Sequence, residues 1–530
     1  MKPGNHITVT HLFAGGWATD YGHQFDTDLN TSNIIGIPYL LDTKNVTYNL
    51  RGNPRKIGGT AALNVSPMSG DPILGLYDFW RHDSSGFFQQ KRIAYAGDGG
   101  LHADNADGNF SPLDFLSASA VPNFSQFDNL MIFSLDDGST PKSYDGTTFQ
   151  ILSPTAPNFS FCIVHKNRVW AAGVPDDPSG LYYTSSENPT DWVGAGSGRL
   201  SISPGDGDSV RAIVSHKNDL WVFKGPNVGS IHRISGSAPT GSDAFNRKEF
   251  VYGLGAVSQN SVFRFRDDIG FIWSDGSFHS LAATAAYGDF YEVSLSRPIN
   301  GYLKAHTRSD SLNKVWSATD ISNGQVWVTL PINASSNNNF ILLMDYRFEP
   351  VRWSYIDAYP ARCLASVRDS SSQGFPIIMV GGDAGQIYKT QQVTKSINGI
   401  DAIQSKVTLP FVDYGMPVRM KTLANVGLGL ASSGNNSVTF SWRRDRNAVQ
   451  SDTVIQGGGD VLGPSATNPF TLNTSTLGGD NYTSRWINTI GGGEFRSIQY
   501  EVSQYNVDVD LNLQSIHATI EIGSDSLENT

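Results

Sequence analysis

His165-Lys166-Asn167-Arg168-Val169-Trp170 returns 51 positions later as His216-Lys217-Asn218-Asp219-Leu220-Trp221, and self-similarity at such a period is the first thing a fold must explain. In both copies a polar turn carrying Lys-Asn leads into an aromatic strand. Looser copies are Phe127-Asp128-Asn129-Leu130-Met131-Ile132-Phe133, Arg266-Asp267-Asp268-Ile269-Gly270-Phe271-Ile272-Trp273 and Ser322-Asn323-Gly324-Gln325-Val326-Trp327-Val328. Each joins an Asn/Asp/Gly turn to a short apolar run, which is a hairpin signal.

A second element follows most of these strands: a Gly or Asp-Gly turn, then a short strand with an aromatic residue, as in Tyr144-Asp145-Gly146-Thr147-Thr148-Phe149 and Ser274-Asp275-Gly276-Ser277-Phe278. The unit recurs at about 35–50 residues, near the length of a four-stranded propeller blade. Blades are expected at 70–113, 117–152, 158–192, 199–236, 246–281, 310–357 and 361–392. The expected fold is therefore all-β, a β-propeller of about seven blades, with two-sheet sandwiches as the alternative. Helix signal is confined to Tyr291–Ala305, where Pro298 interrupts a rough apolar spacing.

Two flanks break the rhythm. Residues 1–65 carry the strand-like Asn45-Val46-Thr47-Tyr48-Asn49-Leu50, while 393–530 alternate polar with apolar at Ser437–Trp442 and Tyr505–Leu513, the mark of half-buried antiparallel strands. Three segments follow: 1–65 and 393–530 as parts of a β-sandwich-like platform built by both chain ends, and 66–392 as a propeller inserted in it.

Composition narrows the function. The chain has 530 residues, 38 Lys+Arg against 49 Asp+Glu, and a formal charge of −11, which argues against a nucleic-acid scaffold held by a basic surface. Charged residues make up 16%, below the usual ~25%. Cys162 and Cys363 are too far apart in sequence for a CxxC-type site and read as buried small hydrophobes. No apolar run reaches signal-peptide or transmembrane length, so neither export by that route nor stable membrane insertion is expected. Asn45-Val46-Thr47 and Asn64-Val65-Ser66 match the glycosylation pattern, to which no weight is given.

Catalytic patterns are scarce. No G-x-S-x-G, H-E-x-x-H or P-loop is present. Ser134-Leu135-Asp136-Asp137-Gly138 matches the first half of a glycosidase-propeller turn, but Pro141 stands where its aromatic should be. His165 and His216 read as solvated or capping residues rather than metal ligands. Asp104-Asn105-Ala106-Asp107-Gly108-Asn109 and Gly205-Asp206-Gly207-Asp208-Ser209 offer oxygens for calcium, yet neither completes an EF-hand loop, and turn chemistry explains both better. No catalytic, cofactor or metal residue is assigned. Trp170, Trp192, Trp221, Trp273, Trp327 and Trp353 are expected to pack within the repeat. Arg443, Arg444 and Arg446 form the one compact basic cluster, a candidate interface or channel spot whose default reading is an exposed hairpin tip.

The run from His165-Lys166-Asn167-Arg168-Val169-Trp170-Ala171-Ala172-Gly173 through Leu181-Tyr182-Tyr183-Thr184-Ser185-Ser186-Glu187-Asn188-Pro189-Thr190-Asp191-Trp192 resembles the tail tubular, nozzle and hub proteins of short-tailed bacteriophages, the packaged-DNA stabilisation type included. Similar features follow in order at Asp219–Gly225, Gly253–Ser261, Ser274–Gly276 and Met344–Ser354. Near the start, Asn49–Thr60 stands where the family tends to have an R-P-G turn, although here no Pro-Gly occurs. The resemblance implies a homohexameric ring below portal and adaptor, with a platform domain formed from both chain ends. Such a ring prolongs the DNA channel, helps retain the packaged genome and conducts it during ejection. It implies adaptor, fibre or needle proteins as partners, DNA passing without sequence-specific binding, assembly in the bacterial cytoplasm, and no enzyme activity. A receptor- or glycan-binding propeller is the alternative, and a propeller glycosidase a third.

Overall fold

The computed structural model describes the chain except for residues 1–5, 14, 21–23, 26–33, 38, 84, 106–107, 288–293, 370–374, 431–435, 457–482, 489–492 and 524–530. By its contacts the chain divides into two units. One is Met1–Ala61, Leu343–Ala358 and Gln391–Thr530; the other is Ala62–Leu342 and Tyr359–Thr390.

The second unit is a β-propeller of seven successive blades. Four are four-stranded meanders. The first blade is Ile73–His82, Phe88–Ala96, Gly100–Asp104 and Phe110–Phe115; the second is Pro122–Phe127, Leu130–Leu135, Lys142–Tyr144 and Phe149–Ile151. The third is Phe161–His165, Arg168–Ala172, Gly180–Tyr183 and Gly198–Ser201; the fourth is Ser209–His216, Asp219–Gly225, Ser230–Ser235 and Asn246–Tyr252. A fifth blade has three strands, Val262–Phe265, Asp268–Ile272 and Phe278–Ser280. The sixth opens with the hairpin Trp316–Asp320 and Gln325–Leu330, the seventh with Cys363–Arg368 and Pro376–Gly381.

The deciding repeat is a pair of two-residue hairpin loops. His165 faces Arg168 and His216 faces Asp219 across their strands. Between them Lys166 and Asn167 have φ of 48° and 56°, and Lys217 and Asn218 of 47° and 70°. Positive φ at both central positions marks a type I′ turn, whose twist matches the strands it joins. The aromatic run after each turn becomes the second strand of its blade. Arg168–Ala172, Asp219–Gly225 and Gln325–Leu330 are buried along their whole length, because a middle strand is covered on both faces. The fourth strand is the reverse: Asn246-Arg247-Lys248-Glu249 is exposed and charged, which guards a sheet edge against unwanted pairing.

The propeller core lies between blades. Phe161, Trp170 and Leu181 of the third blade meet Ile213, Leu220 and Val222 of the fourth, and Phe223 of the fourth meets Ile269 and Phe271 of the fifth. Each blade is thus stabilised chiefly by its neighbours, as in other repeat architectures. Both cysteines are buried and free.

The start of the unit is fastened to the last blade. The Leu63 N–H donates to the Ile387 carbonyl at 2.8 Å. Beside it Asn64, 2% exposed, accepts from the Ile387 N–H at 2.8 Å and donates to the Gly385 carbonyl at 2.9 Å. Gln386 donates to both oxygens of Asn64, at 2.7 and 2.9 Å. The amide is fully engaged and is no glycan acceptor. Asn64→Ala strands a buried N–H and a buried C=O, and should cost the propeller roughly 2–4 kcal/mol in denaturant unfolding. A loss under about 0.5 kcal/mol would show that closure does not depend on this side chain.

The first unit is a two-sheet sandwich. One sheet runs in the order Ile34–Ile37, His6–Phe13, Leu513–Ile522, Lys421–Leu430 and Thr483–Asn488. His6–Phe13 and Leu513–Ile522 are antiparallel, with Ile7 facing Ile520 and Val9 facing Ala518, so the two chain ends share a sheet. In the other sheet Ile498–Gln504 lies between Ser405–Thr408 and Asn436–Arg444. Val9, Val426, Leu428, Ile516 and Ile520 from the first pack on Phe440, Trp442, Tyr500 and Val502 from the second.

Three expectations are corrected. Tyr505–Leu513 is not one strand: it turns at Asp508, with φ 54°, whose carboxylate accepts from the Lys395 N–H and the Ser396 hydroxyl. Its polar alternation serves a turn. The helix is shorter than Tyr291–Ala305, comprising a 3-10 turn Arg297–Ile299 and the helix Asn300–His306; Pro298 lies in the opening turn, where its missing N–H costs nothing, while 291–293 fall outside the described residues. A second helix, Leu281–Tyr287, comes from an Ala-rich run of high helix propensity.

Candidate functional site

Each blade contributes the start of its first strand or the residues just before it to the lining of two cavities. The larger, about 360 Å³, is bordered by Val121–Asn123 and Asp136, Ser160–Phe161, Ser209–Arg211, Val257–Asn260 and Asn313. The smaller, about 290 Å³, is bordered by Asp71–Pro72 and Leu74, Ser119–Val121, Lys314, Trp316 and Arg362. Val121 borders both. Because all seven blades contribute, the cavities lie where the blades converge. Cavities of this size suit small ligands.

Their charged groups differ in commitment. Arg362 is paired with Asp383 and donates to the Asn338 carbonyl at 2.7 Å. Lys314 donates to the Ser336 carbonyl and to Asn337 Oδ1, both at 3.0 Å. Asp136 accepts from the Val121 N–H at 2.7 Å through one oxygen; the surrounding protein raises its pKa by desolvation. Arg211 makes a single long hydrogen bond, from Nε to the Gly225 carbonyl at 3.3 Å. Burial lowers its pKa, against the opposing pull of Asp208 and Asp136. Of these residues the sequence singled out only Asp136, within the partial Ser134–Gly138 turn; Arg211 carried a weaker signal, a charge inside Ser209-Val210-Arg211-Ala212-Ile213-Val214.

The tryptophans occupy packing positions. Trp170 is 1% exposed, with Tyr183 and Phe245 each 4.9 Å away between ring centroids. Trp192 packs on Phe159, Trp221 meets Phe250 edge-on, and Trp327 stacks on Tyr359. Trp273 is half-buried against Gly229, where a Cβ would come within 2.5 Å of its ring. Trp353 is buried within the sandwich unit, and its carbonyl accepts from Trp17 N–H and Tyr48 O–H at 2.8 Å each.

Arg443 and Arg444 end the strand Asn436–Arg444, and Arg446 lies in the exposed turn that follows. Asp445 accepts the Arg496 and Ser497 N–H groups, and Arg444 donates to Gln450, so a turn is braced here. In the first calcium candidate Asp104 pairs with Arg92 at 3.0 Å, and Ala106 and Asp107 lie outside the described residues. In the second, Asp206 is occupied by the Lys224 ammonium at 2.7 Å, and Asp208 accepts the N–H groups of Asn227, Val228 and Gly229. His165 is not solvated; it is buried, with Nδ1 2.7 Å from Ser215 Oγ. Among the described residues no group of three or more His, Cys, Asp or Glu could hold a metal ion, and no helix is long and apolar enough to cross a membrane.

No protein-family model matches the chain, and no curated protein matches it either. Solved structures do. YCF48 bound to D1 peptide is 12% identical with a TM-score of 0.36, over 63% of this chain and 97% of that one. BamB from Moraxella catarrhalis is 9% identical with a TM-score of 0.36, over 64% and 97%. Raptor from Chaetomium thermophilum is 10% identical with a TM-score of 0.39, over 63% of this chain and 30% of that one.

Proposed function

We propose that this chain is a structural, non-catalytic subunit of a bacteriophage tail, a nozzle or hub ring that prolongs the DNA channel below portal and adaptor. The observation that carries the reading is the insertion of a propeller into a sandwich whose shared sheet joins both chain ends, the layout that the resemblance of His165–Trp192 to tail proteins implies. The residues of that stretch support it, since they make type I′ turns and fill the seams between blades. A formal charge of −11 suits a conduit, because each Lys or Arg contact to phosphate adds a holding term that hinders sliding. In this role the chain assembles in the bacterial cytoplasm as a homohexamer and carries adaptor, fibre or needle proteins.

Light scattering and negative-stain imaging test it, on the purified chain alone and mixed with an adaptor–portal assembly. Six chains of 57.5 kDa around a central hole are expected in at least one of the two samples. A monomer in both would overturn the reading. The convergence of all seven blades on one pair of cavities favours a second reading, a propeller that binds a receptor or glycan.

A further inference from the structure

The innermost strand of the fourth blade is interrupted at one residue. Val210 faces Lys224 and Ala212 faces Phe223, so Arg211 stands opposite nothing. Such a bulge leaves the ladder locally broken and re-aims the side chain it carries. Here that side chain borders the larger cavity. The first blade has the same irregularity at Leu74, between Ile73 and Gly75, and Leu74 borders the smaller one.

Arg211 is half-buried, and among the described residues neither of its terminal nitrogens has a hydrogen-bond partner. A guanidinium held partly out of water with no anion hydrogen-bonded to it leaves donors to satisfy. The carboxylates nearby pull on it without a hydrogen bond: Asp208 accepts three backbone N–H groups, and Asp136 accepts that of Val121 through one oxygen. Three amides around the same cavity are also uncommitted. Asn123 Nδ2, in a side chain 8% exposed, and the side-chain amides of Asn260 and Asn313 have no partner among the described residues. Four side chains from four blades thus offer N–H donors to one space, with a single carboxylate, Asp136, on its border.

We infer that the larger axial cavity is a binding site for a carboxylate monoanion, gripped in bidentate fashion by Arg211 and steadied by Asn123, Asn260 and Asn313. The planar fork of arginine matches a carboxylate, and one guanidinium balances one negative charge. A phosphate dianion would bring a second charge against Asp136. Asp136 instead suits an ammonium group on the same ligand, which points to an amino acid or to the carboxyl end of a peptide. This site is independent of the ring reading, since a monomer could carry it.

Titration calorimetry on the full chain decides it, with glycine, Gly-Gly-Gly, the C-terminal amide of Gly-Gly-Gly, and inorganic phosphate as probes. At least one free carboxylate is expected to bind: glycine alone sufficing identifies a small molecule, Gly-Gly-Gly only a chain terminus. The amide should bind at least tenfold more weakly than Gly-Gly-Gly, and Arg211→Gln should lower the carboxylate affinity at least tenfold without moving the thermal transition. Arg211→Lys, which keeps the charge but not the fork, should also weaken binding. The inference fails if no carboxylate binds, if the amide binds as well, if phosphate binds more tightly, or if folded Arg211→Gln binds unchanged.

Discussion

Lys224→Met should destabilise the propeller by roughly 1–3 kcal/mol, the cost of leaving buried carbonyl acceptors unsatisfied, since the Asp206 carboxylate left behind is exposed and can rehydrate. Lys224 is fully buried. Its ammonium donates to Asp206 Oδ1 and Oδ2 at 2.7 Å, to the Ser203 and Ile202 carbonyls at 2.8 and 2.9 Å, and to Ser179 Oγ at 3.2 Å. Five oxygens converge on one nitrogen, an arrangement that elsewhere would hold a metal ion. Methionine fills the volume but leaves Asp206 and two carbonyls facing each other with no cation between them. Denaturant unfolding of Lys224→Met, Asp206→Asn and the double variant forms a cycle in which the double should cost less than the sum of the singles. A Lys224→Met loss below about 1 kcal/mol would mean that water replaces the ammonium freely. Calcium and chelator should each leave the wild-type transition where it is.

Acid should unfold the chain earlier than carboxylate titration alone allows. Burial pushes the pKa of His11 down to about 3, and those of His165, His232 and His279 down to about 4. All four are nearly inaccessible. His165 also feels Lys166, and His232 feels Arg247 and Lys224, while Asp219, Asp206 and Asp275 pull the other way on His165, His232 and His279 in turn. In each case the folded pKa lies below the unfolded value near 6.5. Between 6.5 and 4 the unfolded chain therefore takes up protons that the folded chain refuses, and stability falls as pH falls. The contribution is complete above 6.5. Each histidine is worth up to about 3 kcal/mol across the window. Unfolding midpoints in urea should drop steadily from pH 7 to pH 4.5, and His232→Gln should flatten that slope. A midpoint unchanged down to pH 4.5 would show that these histidines protonate without unfolding.

The fold was legible wherever local chemistry and tertiary position agree. Lys-Asn before Val-Trp or Leu-Trp writes a type I′ turn and a middle strand into six residues, and both copies form them. Legibility failed where one local pattern has two tertiary uses. The alternation at 505–513 looks like a strand, but the carboxylates of Asp508 and Asp510 meet the segment around Lys395, and the Asn506 carbonyl accepts from Lys56. Lys224 lies in Leu220-Trp221-Val222-Phe223-Lys224-Gly225, and nothing local says that its charge is buried; its partners lie 18–45 positions earlier. Arg211 was hidden for a related reason: a bulge is a property of two strands, and a one-strand reading cannot place it.

The pairing of His6–Phe13 with Leu513–Ile522 sets a clock on biogenesis. The first strand leaves the ribosome some 500 residues before its partner exists. At about 5–20 residues per second, that is a wait of roughly half a minute to two minutes. Throughout it, Val9 and Phe13 sit on an unmated edge while the inserted blades are synthesised and close on one another. Newly made chains should accordingly be most prone to stick to each other late in translation, and a holdase that shields this one strand should raise the yield of soluble protein more than any aid given to the blades.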